Sequence, residues 1–208
     1  MQDIGEYNDL GFMSQLYLAW SGEGPAMSRV PALTRDDLPE DKRFIYDEIA
    51  SSRKEVSGPF SLLLNSPEVA RRVAHLGAYI RFESVLPPPV IEMIILATAR
   101  EWNCQFEWSY HEPEARRAGV RDEAISSIRD RRAPDGLNDE ESVVVKYVLE
   151  TLREHRVSED TFQKALARFG AQGVTDMTAT LGYYALLAGV LNAFEVDTAS
   201  GAGPLLPV

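Results

Sequence analysis

Cysteine and positive charge are both scarce in this chain of 208 residues. The single cysteine, Cys104, excludes an intramolecular disulfide, a CxxC redox pair and a zinc site built from several cysteines. The chain carries 21 Lys and Arg residues against 32 Asp and Glu residues, a formal net charge of −11. Because nucleic acids and anionic membranes are bound through basic patches, this balance argues against both as partners.

A secretory signal is also missing from the N-terminus. Residues 1–6 are acidic where a signal needs a cationic region, and no clean apolar core follows. Together with the lack of disulfides, this predicts a cytoplasmic protein. Residues 177–194 form an uncharged run about as long as a membrane span. Polar side chains interrupt that run and no Lys or Arg anchors flank it, so it is typical of a buried helix.

No segment alternates convincingly between apolar and polar residues, so the sequence predicts an all-α protein of about eight helices in a single domain. Proline and glycine mark the helix ends. After Ser66 as N-cap, one helix is expected to bury a stripe of apolar residues at helical spacing. The stripe consists of Val69, Val73, Leu76 and Ile80.

The predicted domain spans residues 29–196. It follows an extension at residues 1–28, which is either docked or disordered, and it precedes a loose tail at residues 197–208.

The last predicted helix, residues 175–194, follows a break at Gly170 and is apolar on nearly every side. A helix of this kind must be buried all round. Its many small residues allow close approach of another backbone. Two interpretations remain open: a subunit interface covers its outer face, or it is the central helix of the core.

Residues with catalytic potential concentrate between positions 92 and 111. Cys104, Glu107 and His111 follow an i, i+3, i+7 spacing, which places them within a 60° sector of one helix. Trp108 lies on the same side. Glu92 stands in an apolar run on the preceding helix, and if it is buried, an imidazole is its natural partner.

Simpler interpretations exist for each of these residues. The Glu107–His111 stripe is also typical of a solvated helix face, and a lone cysteine is commonly a small buried apolar residue. Glu92 has Arg81 and Arg100 as possible ion-pair partners. The remaining histidines, His75 and His155, lie in amphipathic or charged surroundings and receive no predicted role.

The run Glu92-x11-Cys104-x2-Glu107-x3-His111 resembles the motif of the carboxymuconolactone decarboxylase family, which includes the alkylhydroperoxidase D-like proteins. Glu92, Cys104 and His111 match the family's Glu, first Cys and His. Glu107 occupies the position of its second, peroxidatic Cys, so the chain resembles a subgroup without the Cys pair. The resemblance covers about residues 29–196 and extends to the segments 29–31, 58–60, 97–103 and 181–184. It implies an alkylhydroperoxidase D-like helical fold that assembles as a homo-oligomer: a dimer, trimer or hexamer.

The resemblance also implies a lyase that needs no cofactor and no metal, acting on a small organic acid, a lactone in the decarboxylase members. His111 then transfers the proton and Glu92 orients it, while Glu107 is a second acid or base, or raises the pKa of His111. Arg100 is the predicted carboxylate clamp, with Arg81, Arg116 and Arg117 as alternatives. Aromatic side chains are expected to wall the pocket: Trp102, Phe106 and Trp108.

Two other functions stay open at this point. One is a peroxidase that uses Cys104 as its only thiol and an external thiol to resolve the sulfenic acid, which Glu107 one turn away opposes. The other is an oligomeric protein that keeps the ligand pocket without catalysis.

Overall fold

The computed structural model describes residues 28–53, 56–198 and 205–207. Within these ranges the chain is helical and has no β-strand, which confirms the predicted all-α class. The eight α-helices of the described residues are α1 (Arg43–Arg53), α2 (Pro59–Leu63), α3 (Pro67–Phe82), α4 (Pro88–Glu101), α5 (Gln105–Ala118), α6 (Asp122–Arg129), α7 (Asp139–Leu149) and α8 (Glu159–Ala193). A short 3₁₀ turn, Glu40–Lys42, leads into α1, and a π-helical turn, Glu150–Glu154, extends α7.

The helices begin and end close to the proline and glycine residues from which the sequence predicted their ends. Proline is at the start of α2, α3 and α4, where a missing N–H costs no hydrogen bond. Gly119 ends α5 in the left-handed conformation at φ 93°. Gly170 breaks the helical geometry of α8 at φ 69°, ψ 176°, so α8 consists of two helical segments as predicted.

Helix α4 is the centre of the fold. It packs against α5, α6, α7 and α8, and every residue from Val90 to Arg100 is buried. A three-residue connection with Asn103 at φ 48° then turns the chain back into α5. Asparagine tolerates this left-handed backbone better than most residues do. The tight turn lays α5 along α4, and this pairing positions the functional residues.

The C-terminal half of α8 packs on α3 and α4 and supplies much of the core. By length and composition α8 is the one helix of the described chain that could cross a membrane. Of its most apolar window, 56% is buried inside the protein, and the core helix of a globular protein meets the same criteria. The outer face is open in this single chain: Gly182 is exposed and Leu186 is 43% exposed.

Two expectations about packing were wrong. Val69 and Leu76 on α3 are exposed, while Val73 and Ile80 of the same predicted stripe are buried. The C-terminal tail is not loose at residues 205–207, because Leu206 is buried and its backbone forms two hydrogen bonds with the side chain of Gln105. The extension at residues 1–27 lies outside the described residues.

Candidate acid/base site

The site is built where α4 and α5 face each other. Glu92 is in the second turn of α4, and Glu107 and His111 are one turn apart on α5. All three side chains are buried, and His111 is only 2% exposed. Since ionisable groups are costly to bury without partners, this grouping indicates an arrangement in which each group compensates another.

His111 is the centre of the cluster. Its Nδ1 lies 2.8 Å from Oε2 of Glu92, and its Nε2 lies 3.5 Å from Oε2 of Glu107. An ionised carboxylate only accepts hydrogen bonds, so Nδ1–H donates to Glu92 and fixes the orientation of the ring. The contact with Glu107 is longer than a good hydrogen bond and leaves Nε2 as the nitrogen that exchanges a proton.

The two carboxyl groups are placed in opposite electrostatic environments. Burial alone would raise the pKa of Glu92, but the charge and hydrogen bond of His111, helped by Arg81 and Arg117, hold it below the usual range. Burial raises the pKa of Glu107 above its usual range, and the charge of Glu92 adds to this, while His111 and Arg81 only partly oppose it. Glu92 is therefore the more readily ionised partner and Glu107 the more readily protonated one.

Helix α8 closes the site with two tyrosines. Tyr184 is buried and stacks edge-on against His111, with ring centroids 5.1 Å apart at 90°. Tyr183 is also buried, and burial raises its pKa to about 12, while burial sets the pKa of Tyr184 well above its usual value. Both phenols are thus neutral hydroxyl groups at neutral pH, able to donate hydrogen bonds.

Arg81, at the end of α3, supplies positive charge to this region. Its Nη1 donates to Oη of Tyr184 at 3.4 Å, and its charge lowers the pKa of Glu92, Glu107 and both tyrosines relative to burial alone. The sequence offered Arg81 only as a secondary candidate for the carboxylate clamp. The tyrosines were missed as site residues, although residues 181–184 were among the segments that resemble the family.

The predicted clamp, Arg100, lies elsewhere. Its Nε donates to the carbonyl of Arg129 at 2.7 Å and its Nη1 to Oδ1 of Asn103 at 2.7 Å, on the side of α4 that faces α6. Trp102 is 42% exposed at the end of α4 and contacts α8 near Gly189. Neither side chain is brought to His111, because both lie at the C-terminal end of α4, and Arg100 is already about 12 Å along the helix axis from Glu92.

Trp108 and Cys104 are both buried next to the site rather than in its centre. Trp108 is fully buried in the main core, and its indole N–H has no hydrogen-bond partner among the described residues. Cys104 precedes α5 as its N-cap and packs against Ala188 and Leu191 of α8. Burial and the charge of Glu107 raise the pKa of its thiol to about 12, although nearby backbone amides act in the opposite direction.

Comparison with known proteins gives a family match and several solved structures of similar fold. The family model of the carboxymuconolactone decarboxylase family matches residues 67–150, a range that contains Glu92, Glu107 and His111. This part of the chain is similar to the carboxymuconolactone decarboxylase family. The matched range ends before α8, so the family match does not include Tyr183 or Tyr184. No curated protein sequence matches the chain.

Solved structures show that the chain has the alkylhydroperoxidase D-like fold. An uncharacterised peroxidase-related protein from Ralstonia eutropha JMP134, described as an alkylhydroperoxidase AhpD core, is similar at a TM-score of 0.69 and 18% identity. This match covers 86% of the present chain and 95% of the other. A peroxidase-related protein from Silicibacter sp. TM1040 has a TM-score of 0.67 at 14% identity, covering 90% and 98%.

A third similar structure is the debrominase Bmp8, with a TM-score of 0.63 and 15% identity, covering 84% of this chain and 92% of that one. A cysteine-to-alanine variant of the debrominase has been solved with 2,3,4-tribromopyrrole. At these identities the likeness establishes the fold of the chain.

Proposed function

We propose that this protein is a cofactor-free acid/base enzyme, a lyase that decarboxylates a small organic acid of the lactone type. The observation that carries the proposal is the buried arrangement of Glu92, His111 and Glu107, with one carboxyl group facing each ring nitrogen. A pair of carboxyl groups whose pKa values are pushed apart around one imidazole is typical of general acid/base sites. The match to the decarboxylase family supports the same reaction class.

In the proposed reaction, the bond between the ring carbon and the substrate carboxylate breaks, and carbon dioxide leaves. The electron pair of that bond enters a dienolate, which the protonated His111 quenches by giving its Nε2 proton to carbon. Glu92 stabilises the positive ring through Nδ1, as a buried carboxylate does for a general-acid imidazole. Each turnover consumes one proton, which solvent returns to His111, and Glu107 is the carboxyl group nearest to Nε2.

The substrate carboxylate needs a positive anchor, and we assign that role to Arg81 instead of Arg100. Arg81 acts electrostatically on both glutamates of the site, whereas the guanidinium of Arg100 is bonded to Arg129 and Asn103. The two arginines in the last turn of α5 already form ion pairs: Arg116 with Glu112 and Asp122, and Arg117 with Glu114.

A thiol mechanism is disfavoured by the state of Cys104. The reactive form of cysteine is the thiolate, and a pKa of about 12 leaves about one thiol in a hundred thousand ionised at pH 7. The peroxidase alternative requires this thiolate to attack a peroxide. Because Glu107 stands one turn away and burial opposes ionisation, the site favours proton transfer over thiol redox chemistry.

The test is carbon dioxide release from a panel of lactone acids by the wild type, His111→Gln and His75→Gln. His111→Gln is expected to lose about 10²-fold or more in turnover, because general acid/base catalysis contributes that much. His75→Gln is the matched control, since His75 is a surface residue paired with Glu48. Reactions run in D₂O should place one deuterium on carbon per carbon dioxide released.

Two results would overturn the proposal. Full turnover in His111→Gln would remove His111 as the acid. A wild type that binds lactone acids but releases no carbon dioxide from any of them would instead support the non-catalytic ligand-binding function.

A further inference from the structure

A second charged cluster lies at the opposite end of α4 from Glu92. Three arginines line one cleft there: Arg100 from α4, Arg131 from the turn after α6, and Arg153 from the π-helical turn after α7. Arg100 is eight residues beyond Glu92, about 12 Å along the helix axis. The cleft is thus separate from the acid/base site. It encloses about 290 Å³, including the part open to solvent.

Arg100 is the unusual member of this cluster. It is 8% exposed, and its hydrogen bonds go to neutral oxygens, the carbonyl of Arg129 and the amide of Asn103. Within the described residues it forms no ion pair with a carboxylate. Burying a guanidinium is costly, and burial together with the charge of Arg131 lowers the pKa of Arg100, although the charges of Glu101 and Asp130 act in the opposite direction. The protein therefore holds a positive charge here that the carboxylates around it do not pair with directly.

Arg131 is fixed beside it. Its backbone is left-handed at φ 55°, and its Nη2 donates to the carbonyl of Arg100 at 3.2 Å and to Oδ1 of Asn103 at 3.1 Å. Two guanidinium groups thus share the single amide oxygen of Asn103. This arrangement holds two like charges close to one amide oxygen, where they repel each other.

Among the described residues, Glu101 is the only carboxylate that lines the cleft, and Arg153 already occupies it. Arg153 donates from Nε and Nη2 to the two carboxylate oxygens, both at 2.6 Å. Arg131 reaches the same carboxylate only at 3.8 Å. Three positive charges against one negative charge leave an excess of two in the cleft, within a chain whose net charge is −11.

We infer that this cleft binds a small dianionic oxyanion of the phosphate type, either free phosphate or the phosphate group of a small molecule. The planar fork of arginine matches the oxygens of phosphate, and a dianion neutralises the excess charge. Ala97, Ile128 and Val145 line the rest of the cleft, so apolar side chains border the charged groups.

The experiment is isothermal titration of the full chain with sodium phosphate at pH 7.5, with sodium chloride keeping the ionic strength constant. The wild type should bind one phosphate, and acetate should bind more weakly. Arg131→Gln should weaken phosphate binding about tenfold or more, since it removes a charge-assisted donor. Glu101→Gln should tighten binding, because it removes the negative charge that lines the cleft.

Arg132→Gln is the matched control. It removes the same charge one position away, but Arg132 pairs with Asp130 and does not line the cleft. The phosphate affinity of the Arg132→Gln variant should stay within about twofold of that of the wild type. Arg153→Gln, at a half-exposed side chain, replaces Arg131→Gln if the latter does not fold.

The inference is overturned if phosphate gives no binding heat beyond that of chloride, or if acetate binds as tightly as phosphate. It is equally overturned if Arg132→Gln weakens binding as much as Arg131→Gln. If the arginines had a purely structural role, the arginine variants would have lower melting temperatures, and phosphate would change the melting temperature of neither the wild type nor the variants.

Discussion

At the scale of single residues, the site depends on how differently its two carboxyl groups are held. Glu92 forms a 2.8 Å bond to Nδ1 of His111, whereas Glu107 is buried with only a long contact to Nε2. The ionised form of Glu107 is consequently disfavoured in the folded protein. The folded state binds a proton at Glu107 more tightly than the unfolded chain does.

This difference makes a prediction for Glu107→Gln. When the pKa of a carboxyl group is higher in the folded protein than in the unfolded chain, the free energy of unfolding falls as the pH rises above the unfolded pKa. Glutamine removes that loss, so the variant should gain unfolding free energy over the wild type between pH 4 and pH 8. The gain is about 1.4 kcal/mol for each unit by which the pKa of Glu107 is raised. Urea unfolding at pH 4, 6 and 8 measures it, and a difference that is independent of pH would contradict the assignment.

Glu92 has the opposite linkage. The pKa of Glu92 is lowered in the folded protein. Its contribution to the free energy of unfolding is therefore complete above the unfolded pKa and is lost as the pH falls through the folded pKa. The Glu92→Gln variant should therefore be destabilised at neutral pH and approach the wild type in acid. Following the same urea series on this variant checks the sign.

Cys104 gives a separate prediction on reactivity. Because its thiol is buried with a pKa of about 12, about one in ten thousand thiols is ionised at pH 8. The folded protein should react with an aromatic disulfide reagent far more slowly than the urea-unfolded chain. Release of the reagent's chromophore reports the rate. Stoichiometric labelling of the folded chain at the rate of the unfolded one would reopen the thiol mechanism.

At the scale of helices, the close approach of α3 and α8 secures Tyr183 beside the site. A Cβ at Gly77 would clash with Oη of Tyr183 and lie 2.7 Å from its Cζ and 2.8 Å from Nη2 of Arg53. An aromatic ring cannot yield as a flexible chain can. Glycine is therefore required at position 77 to let α3 and α8 pack at this distance.

Gly77→Ala and Gly182→Ala form a matched pair of variants that test this packing. Gly77→Ala should lower the unfolding free energy by about 1–3 kcal/mol through overpacking. A Cβ at Gly182 meets nothing within 4 Å, so Gly182→Ala should raise stability by up to about 1 kcal/mol through better helix propensity. Denaturant unfolding of both variants measures the contrast, and equal effects at the two sites would contradict the described packing.

The helix α3 also shows where sequence periodicity fell short. The four predicted core residues lie within about 60° of each other on the helix. The face that is buried is centred about 80° away from Val69, on the small residues Ala70, Ala74 and Gly77. Large apolar residues at the edge of this face, Val69 and Leu76, remain exposed. A prediction from periodicity relies on large apolar side chains, whereas the close packing of two helices requires small side chains on this face.

At the scale of the whole molecule, the sequence predicted the helices well and the site in part. Proline and glycine act locally, so the ends of α3, α4 and α5 followed from the sequence. The family motif brought Glu92, Glu107 and His111 together. The roles of Arg81, Tyr183 and Tyr184 depend on α3 and α8 meeting α4 and α5, which local patterns do not encode. Homo-oligomerisation stays a prediction.

The most direct test of the central claim compares the turnover of Cys104→Ala and His111→Gln on one lactone acid that the wild type decarboxylates. Acid/base chemistry at His111 predicts that Cys104→Ala keeps turnover within about tenfold of the wild type, while His111→Gln loses about 10²-fold or more. Circular dichroism confirms that both variants are folded. The reverse result, with turnover lost in Cys104→Ala and kept in His111→Gln, would contradict the account and assign the reaction to the thiol.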